Sequence, residues 1–295
     1  MSSYLHELND IQRAAVTNTD GPVLVVAGPG SGKTRVLTYR IAYIIEQNLA
    51  APWEILALTF TNKAAREMKN RIGKVVGEGR SEKVWAGTFH SIFARILRGE
   101  AEKLGYNSNF TIYDSDDSKS LIKNIIKELN LNKETYNENA ILTRISSAKS
   151  NLITPKMYVQ NATLMEEDKA TRRPFIHKIY EEYVKRCKTA GAMDFDDLLF
   201  QLFRLLHEHE DVANKYRARF KYILVDEFQD TNFLQYSIIR KLVVYPQSAQ
   251  NVCVVGDDAQ SIYAFRGATI DNILDFERDF KSLKTFKLEQ NYRST

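Results

Sequence analysis

A lysine and a threonine follow a glycine-rich turn near the start of the chain. The turn, Ala27–Gly32, comes directly after the apolar run Val23–Val26 and leads through Lys33 and Thr34 into a helical pattern. Glycines let the backbone N–H groups of such a turn surround a polyphosphate. The positive end of the helix dipole stabilises the negative charge of the phosphates. The spacing therefore predicts a phosphate-binding loop, with Lys33 on the β- and γ-phosphates of a nucleotide and the Thr34 hydroxyl on Mg²⁺.

This predicted loop departs from the strict pattern at one position, because Ala27 stands where the pattern has glycine. The alternative is an ordinary strand–turn–helix without a ligand, but the sequence Gly32-Lys33-Thr34 has little purely structural purpose in such a turn. The residues expected to surround the nucleotide are Gly28, Pro29, Gly30, Ser31, Gly32, Lys33 and Thr34.

Two carboxylates follow another apolar run much later in the chain. Tyr222–Val225 leads into Asp226 and Glu227. An acidic residue at the end of a buried strand helps to hold Mg²⁺ in nucleotide hydrolases, and Thr34 with Asp226 would suffice because Mg²⁺ keeps several waters. Glu227 is then placed to orient or deprotonate the attacking water. Taken without the lysine loop, such an acidic pair is often only a solvated strand end.

A glutamine and an aromatic–basic cluster follow the apolar run Val252–Val255. Gln260 can contact a γ-phosphate or the attacking water, and Tyr263, Phe265 and Arg266 come shortly after it. Aromatic faces beside a guanidinium group are suited to stacking on unpaired bases. The alternative is that both aromatic side chains belong to the core and that Arg266 is a surface charge.

Phe60 is a second candidate for base stacking. Thr59, Thr61 and Asn62 flank it and offer hydroxyl and amide donors to phosphates. The alternative is a buried phenylalanine at the end of a strand.

The chemistry-bearing residues need a scaffold, and the apolar runs predict one. Helical patterns separate most of six short runs, which favours an α/β fold with a parallel sheet. A polar cluster follows each run, and in such a sheet the ligand crevice lies outside the carboxyl ends of the strands. The six predicted strands are Val23–Ala27, Ile55–Leu58, Val84–Ala86, Tyr222–Val225, Val252–Val255 and Thr285–Leu288.

The stretch 110–190 has a different pattern. Asp114 is typical of a helix cap, and apolar residues recur at helical spacing through Leu121–Leu129 and Phe175–Cys187. We predict an all-α insertion at 110–190 between two segments of one nucleotide-binding domain, 1–109 and 191–295. Asp194 is predicted to cap the helix that follows this insertion.

Composition sets modest limits. The 295 residues carry a net charge of +4, which is compatible with a nucleic-acid partner without requiring one. The two cysteines, Cys187 and Cys253, exclude a disulfide framework and lack metal-site spacing. No apolar run approaches the length of a membrane span, and the N-terminus is unlike a secretory signal. We expect a cytoplasmic protein that does not contact membranes.

The chain resembles the UvrD/Rep-type superfamily-1 DNA helicases over essentially its whole length. The resemblance implies a RecA-like P-loop NTPase domain with an inserted helical subdomain, ATP and Mg²⁺ as cofactors, and a role in DNA repair or replication. The residues that carry it are Leu8–Gln12, Ala27–Thr34, Leu58–Ala65, Gly87–Ser91, Asp194–Leu198, Val225–Asn232, Val255–Ala268 and Leu288–Thr295.

The resemblance also implies roles for single residues. Gln12 is similar to the glutamine that reads adenine, and Arg35 with Tyr292 to the pair that sandwiches the adenine ring. Arg293 resembles the arginine that contacts the γ-phosphate, with Gln260 beside it. The residues that fall at or beside positions meeting single-stranded DNA are Phe60, Thr61, Asn62, His90, Tyr263, Phe265 and Arg266. Phe265 stands where tryptophan is more usual.

Helicases of this type carry a second RecA-like domain, which is not found within the 295 residues. We therefore expect an N-terminal portion of a 3′–5′ helicase that acts on single-stranded DNA and on single-strand/duplex junctions. This portion by itself should hydrolyse ATP slowly or not at all, because an arginine from the second domain is needed. Two alternatives stay open: a non-catalytic, ATP-dependent DNA-binding module, and the motor part of a helicase–nuclease.

Overall fold

The computed structural model describes residues 3–28, 30–257 and 269–288. The chain forms two compact units, one from Met1–Ile92 with His209–Thr295 and one from Phe93–Glu208. The described strands are β1 (Val23–Ala27), β2 (Ile55–Thr59), β3 (Trp85–Thr88), β4 (Thr111–Tyr113), β5 (Ala192–Asp194), β6 (Tyr222–Val225), β7 (Val252–Gly256) and β8 (Lys284–Leu288).

Helices connect most of these strands. The described α-helices are α1 (Asp10–Thr17), α2 (Lys33–Glu46), α3 (Asn62–Val76), α4 (Glu78–Ser81), α5 (Phe89–Glu100), α6 (Ser115–Glu128), α7 (Glu138–Ser150), α8 (Pro155–Gln160), α9 (Ala162–Ala170), α10 (Ile176–Thr189), α11 (Phe195–Glu208), α12 (Glu210–Arg219), α13 (Phe233–Val243) and α14 (Thr269–Asp279). Short 3₁₀ turns, among them Phe228–Asp230, join some of them.

The first unit is built on a six-stranded sheet in the order β3-β2-β6-β7-β1-β8, and all its neighbours pair in parallel. The predicted parallel α/β fold is thus confirmed, and each predicted strand lies within two residues of an observed one. Every residue of β2, β6 and β7 is buried, as expected for strands covered on both faces. Full burial of each Val, Ile or Leu side chain stabilises the sheet by about 1.5–3 kcal/mol.

The parallel arrangement brings the polar clusters to one edge. Leu58 of β2 is level with Val225 of β6, and Val225 is level with Val254 of β7. The residues that follow these strands therefore leave the sheet side by side.

A buried arginine joins α1 to α2. Arg40 on α2 is 1% exposed, and its guanidinium donates to the carbonyl oxygens of Ala15 and Asn18 at the end of α1. Those carbonyls have no partner within their own helix, and a cation there also complements the helix dipole. Arg40 thus fixes α1, which carries Gln12, against the helix that begins at the phosphate loop.

The second unit has its own helical core, formed mainly by α6, α7 and α10. Asp114 caps α6 as predicted, because its carboxylate accepts from the N–H groups of Asp116 and Asp117 at 2.8 and 2.9 Å. The unit is not wholly helical: β4 and β5 form a parallel ribbon that pairs Ile112 with Met193. The predicted helical insertion 110–190 thus contains one strand besides its helices, β4, whose three residues leave no clear periodic signal in the sequence.

A buried ionic cluster lies in this second unit. Lys149 on α7 is 1% exposed, and its amine lies 2.6 Å from Asp194 and 2.8 Å from Asp197. The Asp194 carboxylate also accepts from the Asp197 N–H, and the Asp197 carboxylate accepts from the Asp194 N–H, so the predicted cap is confirmed. Tyr183 donates to Asp194 at 2.8 Å. One lysine faces two carboxylates, so the cluster holds excess negative charge.

Within the ranges that the structure describes, no helix is both long enough and apolar enough to cross a lipid bilayer.

Candidate nucleotide-binding site

The loop between β1 and α2 has the geometry of a phosphate-binding turn. Gly30 and Gly32 have φ angles of 81° and 89°, which lie in the left-handed region that glycine tolerates best. The Ser31 hydroxyl donates to the Gly28 carbonyl oxygen at 2.7 Å and tightens the turn. Gly32 stands at the start of α2 without a side-chain cap, so the first N–H groups of that helix are left for a ligand or water.

Gln12 braces this loop from α1. Its side-chain N–H donates to the Ser31 carbonyl oxygen at 3.0 Å, and its side-chain oxygen accepts from the Asn9 N–H at 3.2 Å. Gln12 is 2% exposed, and a Cβ added at Gly32 would lie 2.9 Å from its amide nitrogen. Gln12 thus reaches the loop expected to hold the phosphates, and both polar atoms of its amide are bonded within the protein.

Lys33, the first residue of α2, contacts two carboxylates. Its amine lies 3.1 Å from Asp257, which follows β7, and 3.4 Å from Glu227, which follows β6. The Lys33 side chain is only 12% exposed, whereas that of Glu227 is 38% exposed. The fold thus joins the lysine loop to the acidic pair, as the sequence predicts. Asp257 is an acidic contact of Lys33 that no motif in the sequence marks.

Asp226 is buried at the end of β6, with 3% of its surface exposed. Burial, and then the neighbouring carboxylate of Glu227, raise the pKa of Asp226 to about 6, against the lowering effects of the Glu227 N–H and of Lys33. Its backbone N–H donates to the Leu58 carbonyl oxygen at 2.9 Å, which extends the β2–β6 pairing by one residue. A buried carboxylate of this kind is one that a bound cation would stabilise.

Thr34 and Asp226 line one cleft of about 350 Å³. Thr34 offers a hydroxyl oxygen and Asp226 a carboxylate, and both are oxygen ligands of the kind that Mg²⁺ prefers. The Glu227 carboxylate beside Asp226 adds negative charge that a bound cation would offset. The residues present therefore fit Mg²⁺. The other residues that line the cleft are Thr59, Phe60, Thr61, Ala64, Glu67, Glu227, Gln229 and Asp230.

Gln229 is a buried polar residue that sequence reasoning did not single out. It is 3% exposed, its side-chain N–H donates to Glu227 at 2.6 Å, and its side-chain oxygen accepts from the Asp257 N–H at 3.2 Å. The spacing of Glu227 and Gln229 could have drawn attention to this residue. Its second contact depends on the pairing of β6 with β7, which no local pattern reveals.

The candidate DNA-binding residues that follow β2 lie at the same edge of the sheet. Phe60 is half-buried, and its ring centre lies 5.3 Å from that of Phe89 at an interplanar angle of 52°. Thr61 is exposed and caps α3, because its hydroxyl accepts from the Ala64 N–H at 3.1 Å. Asn62 is exposed at the first position of α3. Phe60 therefore belongs partly to the core and partly to the surface.

The remaining predicted site residues are distributed as follows. His90 is half-buried on α5, just beyond β3, and Arg35 is exposed on α2. The strands before Phe60 and His90 are neighbours, since Thr59 pairs with Thr88. The predicted site residues that lie outside the described ranges are Pro29, Gln260, Tyr263, Phe265, Arg266, Tyr292 and Arg293.

A larger cavity, of about 570 Å³, lies in the second unit around Arg144. The Arg144 guanidinium already contacts Glu167 at 2.8 Å and Asp168 at 3.1 Å, and it donates to the Tyr158 hydroxyl. These two carboxylates neutralise the charge of Arg144, so its guanidinium is not available to bind a phosphate in this cavity.

In the first unit, strand β1 of the parallel sheet leads into a lysine loop. The ends of β6 and β7, which are neighbours in the sheet, place acidic residues against that lysine. This arrangement defines a RecA-like P-loop NTPase domain. The family model described as "UvrD/REP helicase N-terminal domain" matches residues 8–281, and the chain belongs to this family.

Named relatives agree with this assignment. The chain is 46% identical over 291 residues to the ATP-dependent DNA helicase PcrA of Bacillus subtilis (strain 168), covering 99% of this chain and 38% of that protein. It is 43% identical over 295 residues to the PcrA of Staphylococcus aureus (strain Mu50 / ATCC 700699), covering 100% of this chain and 39% of that one. It is 46% identical over 301 aligned positions to the ATP-dependent DNA helicase UvrD1 of Mycobacterium leprae (strain TN), covering 99% of this chain and 38% of that protein. The chain thus spans about two fifths of the length of these relatives.

Proposed function

We propose that this chain is the N-terminal, ATP- and single-strand-binding part of an ATP-dependent 3′–5′ DNA helicase that acts in DNA repair or replication. One observation carries the proposal: the amine of Lys33 on the phosphate loop lies within 3.4 Å of Glu227, next to the buried Asp226. The named relatives are ATP-dependent DNA helicases, which supports both the nucleotide and the substrate class.

In this proposal the loop binds the phosphates of ATP. The N–H groups at the start of α2 and the Lys33 amine stabilise the phosphate charge. Thr34 and Asp226 hold Mg²⁺, which shields the phosphate oxygens when it is bound. Glu227, more exposed than Asp226 and beside it, orients the attacking water and accepts its proton. Hydrolysis then follows from positioning and electrostatic stabilisation, with no covalent intermediate on the protein.

Gln12 has two proposed tasks. The family resemblance assigns it to the adenine base, and its bond to the Ser31 carbonyl oxygen assigns it to the loop. These two bonds use one N–H and one oxygen lone pair of the Gln12 amide, which leaves a second N–H and a second lone pair for the adenine base. Arg35, exposed near the start of α2, is available to cover the base, with Tyr292 as its proposed partner and Arg293 on the γ-phosphate.

Single-stranded DNA is proposed to lie along the carboxyl edge of β2 and β3. Phe60 stacks on a base, Thr61 and Asn62 donate to phosphates, and His90 contributes from the neighbouring strand end. Stacking on an aromatic face stabilises binding by about 1–3 kcal/mol per base. Tyr263, Phe265 and Arg266 are proposed to extend this surface. Phe60 lines the same cleft as Asp226 and Glu227, which supports coupling between strand and nucleotide.

The proposal extends to the activity of the chain by itself. The helicase cycle needs a second RecA-like domain that opens and closes against the first one. An arginine supplied across such a cleft accelerates phosphoryl transfer by about 10³–10⁵. We therefore expect the 295-residue chain to bind ATP weakly and to turn it over slowly or not at all. Multiple-turnover unwinding of a 3′-tailed duplex by the purified chain would contradict this.

The deciding experiment is phosphate release by the full-length protein, as its gene encodes it, with and without single-stranded DNA. Stimulation by DNA that is lost in Glu227→Gln supports a translocating helicase. A wild-type protein that binds both ligands but shows no stimulation is instead a non-catalytic ATP-dependent DNA-binding module. Degradation of the DNA during the same reaction would reveal the motor of a helicase–nuclease.

A further inference from the structure

Gln229 connects two strand ends of the first unit through a single side chain. Its amide N–H donates to the Glu227 carboxylate at 2.6 Å, and its amide oxygen accepts from the Asp257 N–H at 3.2 Å. Glu227 follows β6, and Asp257 follows β7. The bonds use opposite ends of one planar amide, so the position of each partner restricts that of the other.

The burial of Gln229 makes this connection rigid. Only 3% of the residue is exposed, and an ideal Cβ on Gly256 would lie 3.5 Å from its amide oxygen. The preceding residue, Phe228, is fully buried and packs against Tyr236 and Phe276 at ring-centre distances of 5.7 and 5.4 Å. A buried amide with fixed partners leaves its neighbour few orientations.

The backbone of Glu227 is itself unusual. Its φ and ψ angles of 49° and 48° place it in the left-handed region, which costs a residue with a side chain energy. This conformation turns the chain sharply between β6 and the 3₁₀ turn Phe228–Asp230 and brings Gln229 back over Glu227. Residues in strained conformations cluster at functional sites, where surrounding contacts hold them.

Lys33 is the other described side chain that contacts the Glu227 carboxylate, at 3.4 Å. In the proposed function, the phosphates of ATP draw the Lys33 amine toward themselves. The contact between Glu227 and Gln229 does not involve the phosphate loop, so a movement of the Lys33 amine does not by itself break it. Orientation of Glu227 during hydrolysis then depends on Gln229.

We propose that Gln229 is a positioning residue that holds the Glu227 carboxylate toward the attacking water and ties its orientation to the end of β7. This inference rests on the proposed function, because it assigns Glu227 the task of activating water. The aromatic–basic residues Tyr263, Phe265 and Arg266 begin six positions after Asp257 in the sequence. A shift of β7's end on strand binding would therefore reach Glu227 through one side chain.

The test measures DNA-stimulated ATP hydrolysis and nucleotide affinity in the full-length protein as its gene encodes it. Gln229→Leu keeps the approximate volume of the side chain and removes its bonds to Glu227 and to the Asp257 N–H. Gln229→Asn keeps the amide but withdraws it by one methylene. The matched control is Gln235→Leu, since Gln235 is also buried, at 5% exposed, and accepts from the Asn232 N–H at 2.9 Å on the nearby α13. Glu227→Gln and the double variant Glu227→Gln/Gln229→Leu complete a double-mutant cycle for these two residues.

We expect both Gln229 variants to lower kcat by about tenfold or more, because misplacement of a reacting group by about 1 Å is that costly. Nucleotide affinity and the activity of the Gln235→Leu control should stay near wild type. In the Glu227→Gln background, Gln229→Leu should cause no further loss, since its effect passes through Glu227.

Some outcomes would overturn the inference and leave the proposed function intact. These are wild-type kcat in both Gln229 variants, a loss of nucleotide affinity as large as the loss of kcat, or an undiminished loss of kcat in the Glu227→Gln background. If the wild-type protein shows no DNA-stimulated hydrolysis, or if Glu227→Gln hydrolyses normally, the proposed function fails first and the inference falls with it.

Discussion

The amine of Lys33 lies 3.1 Å from the carboxylate of Asp257, whose side chain is 1% exposed. This ion pair joins the phosphate loop after β1 to the end of β7, its neighbour in the sheet. Lys33 therefore contributes to the fold in addition to its proposed role at the nucleotide. Loss of one member of a buried pair removes a favourable charge interaction from the other.

Removal of the Lys33 charge should destabilise the first unit. We expect Lys33→Met to lower the free energy of unfolding by about 1–3 kcal/mol, because buried Asp257 loses a charged partner. Asp257→Asn in the same chain should restore part of this loss. Urea unfolding of the 295-residue chain measures both values. Equal stability of Lys33→Met and wild type would show that the ion pair contributes nothing.

Replacement of Asp226 should have the opposite effect on stability. Because burial and Glu227 disfavour its charge, Asp226→Asn should raise the free energy of unfolding at neutral pH by about 1–3 kcal/mol. The same variant should lose Mg²⁺-dependent nucleotide binding. Asp10→Asn is the control, since the Asp10 side chain is 98% exposed. A lower free energy of unfolding in Asp226→Asn than in wild type would instead show that the surroundings stabilise the charged carboxylate.

The buried cluster of the second unit should make stability depend on pH. Burial raises the pKa of Asp197 to about 6, above its ordinary value of 3.8, and the Asp194 carboxylate adds to this against the effect of Lys149. The folded chain thus holds this proton more tightly than the unfolded chain, and the associated stability is lost as the pH rises from about 4 to about 6.

Asp197→Asn removes this titration. We compare the free energy of unfolding of the variant with that of wild type at each pH. We expect this difference to be about 1–3 kcal/mol more favourable to the variant at pH 7 than at pH 4. Asp117→Asn is a matched control, because Asp117 has the same place in the cap of α6 but is exposed. Urea titrations at the two pH values decide, and parallel pH profiles of wild type and Asp197→Asn would contradict the expectation.

Phe60 should contribute to strand binding more than to folding. We expect Phe60→Ala to weaken binding of single-stranded DNA by about tenfold, the loss of one stacked base, with nucleotide affinity nearly unchanged. Trp53→Ala is the control, since Trp53 is 50% exposed just before the other end of β2. Fluorescence anisotropy with a labelled oligonucleotide measures both. An equal effect of the two substitutions, or an equal loss of nucleotide affinity, would assign Phe60 to the core.

Much of this architecture is readable from local sequence. Buried parallel strands are short continuous apolar runs, so β1, β2, β6 and β7 are visible without a structure. The lysine loop and the Asp114 cap are equally local, because each depends on residues within a few positions of one another. The carboxyl-edge rule then predicts that Lys33 and Glu227 meet.

The contacts that escaped prediction all join distant parts of the chain. Gln229 reaches Asp257 only because β6 pairs with β7, and Lys149 reaches Asp194 through the packing of the second unit. Gln12 contacts Ser31 because Arg40 holds α1 against α2. No periodicity marks such polar partners, since each is a single side chain whose burial depends on the tertiary fold.

The most direct test is a titration of the chain with a fluorescent ATP analogue in the presence of Mg²⁺, with wild type and Lys33→Ala compared. We predict saturable binding by wild type and at least a tenfold weaker affinity in the variant, because the amine is a principal cation at the loop. Wild-type binding that does not saturate, or equal affinity of the two proteins, would contradict the assignment of this site.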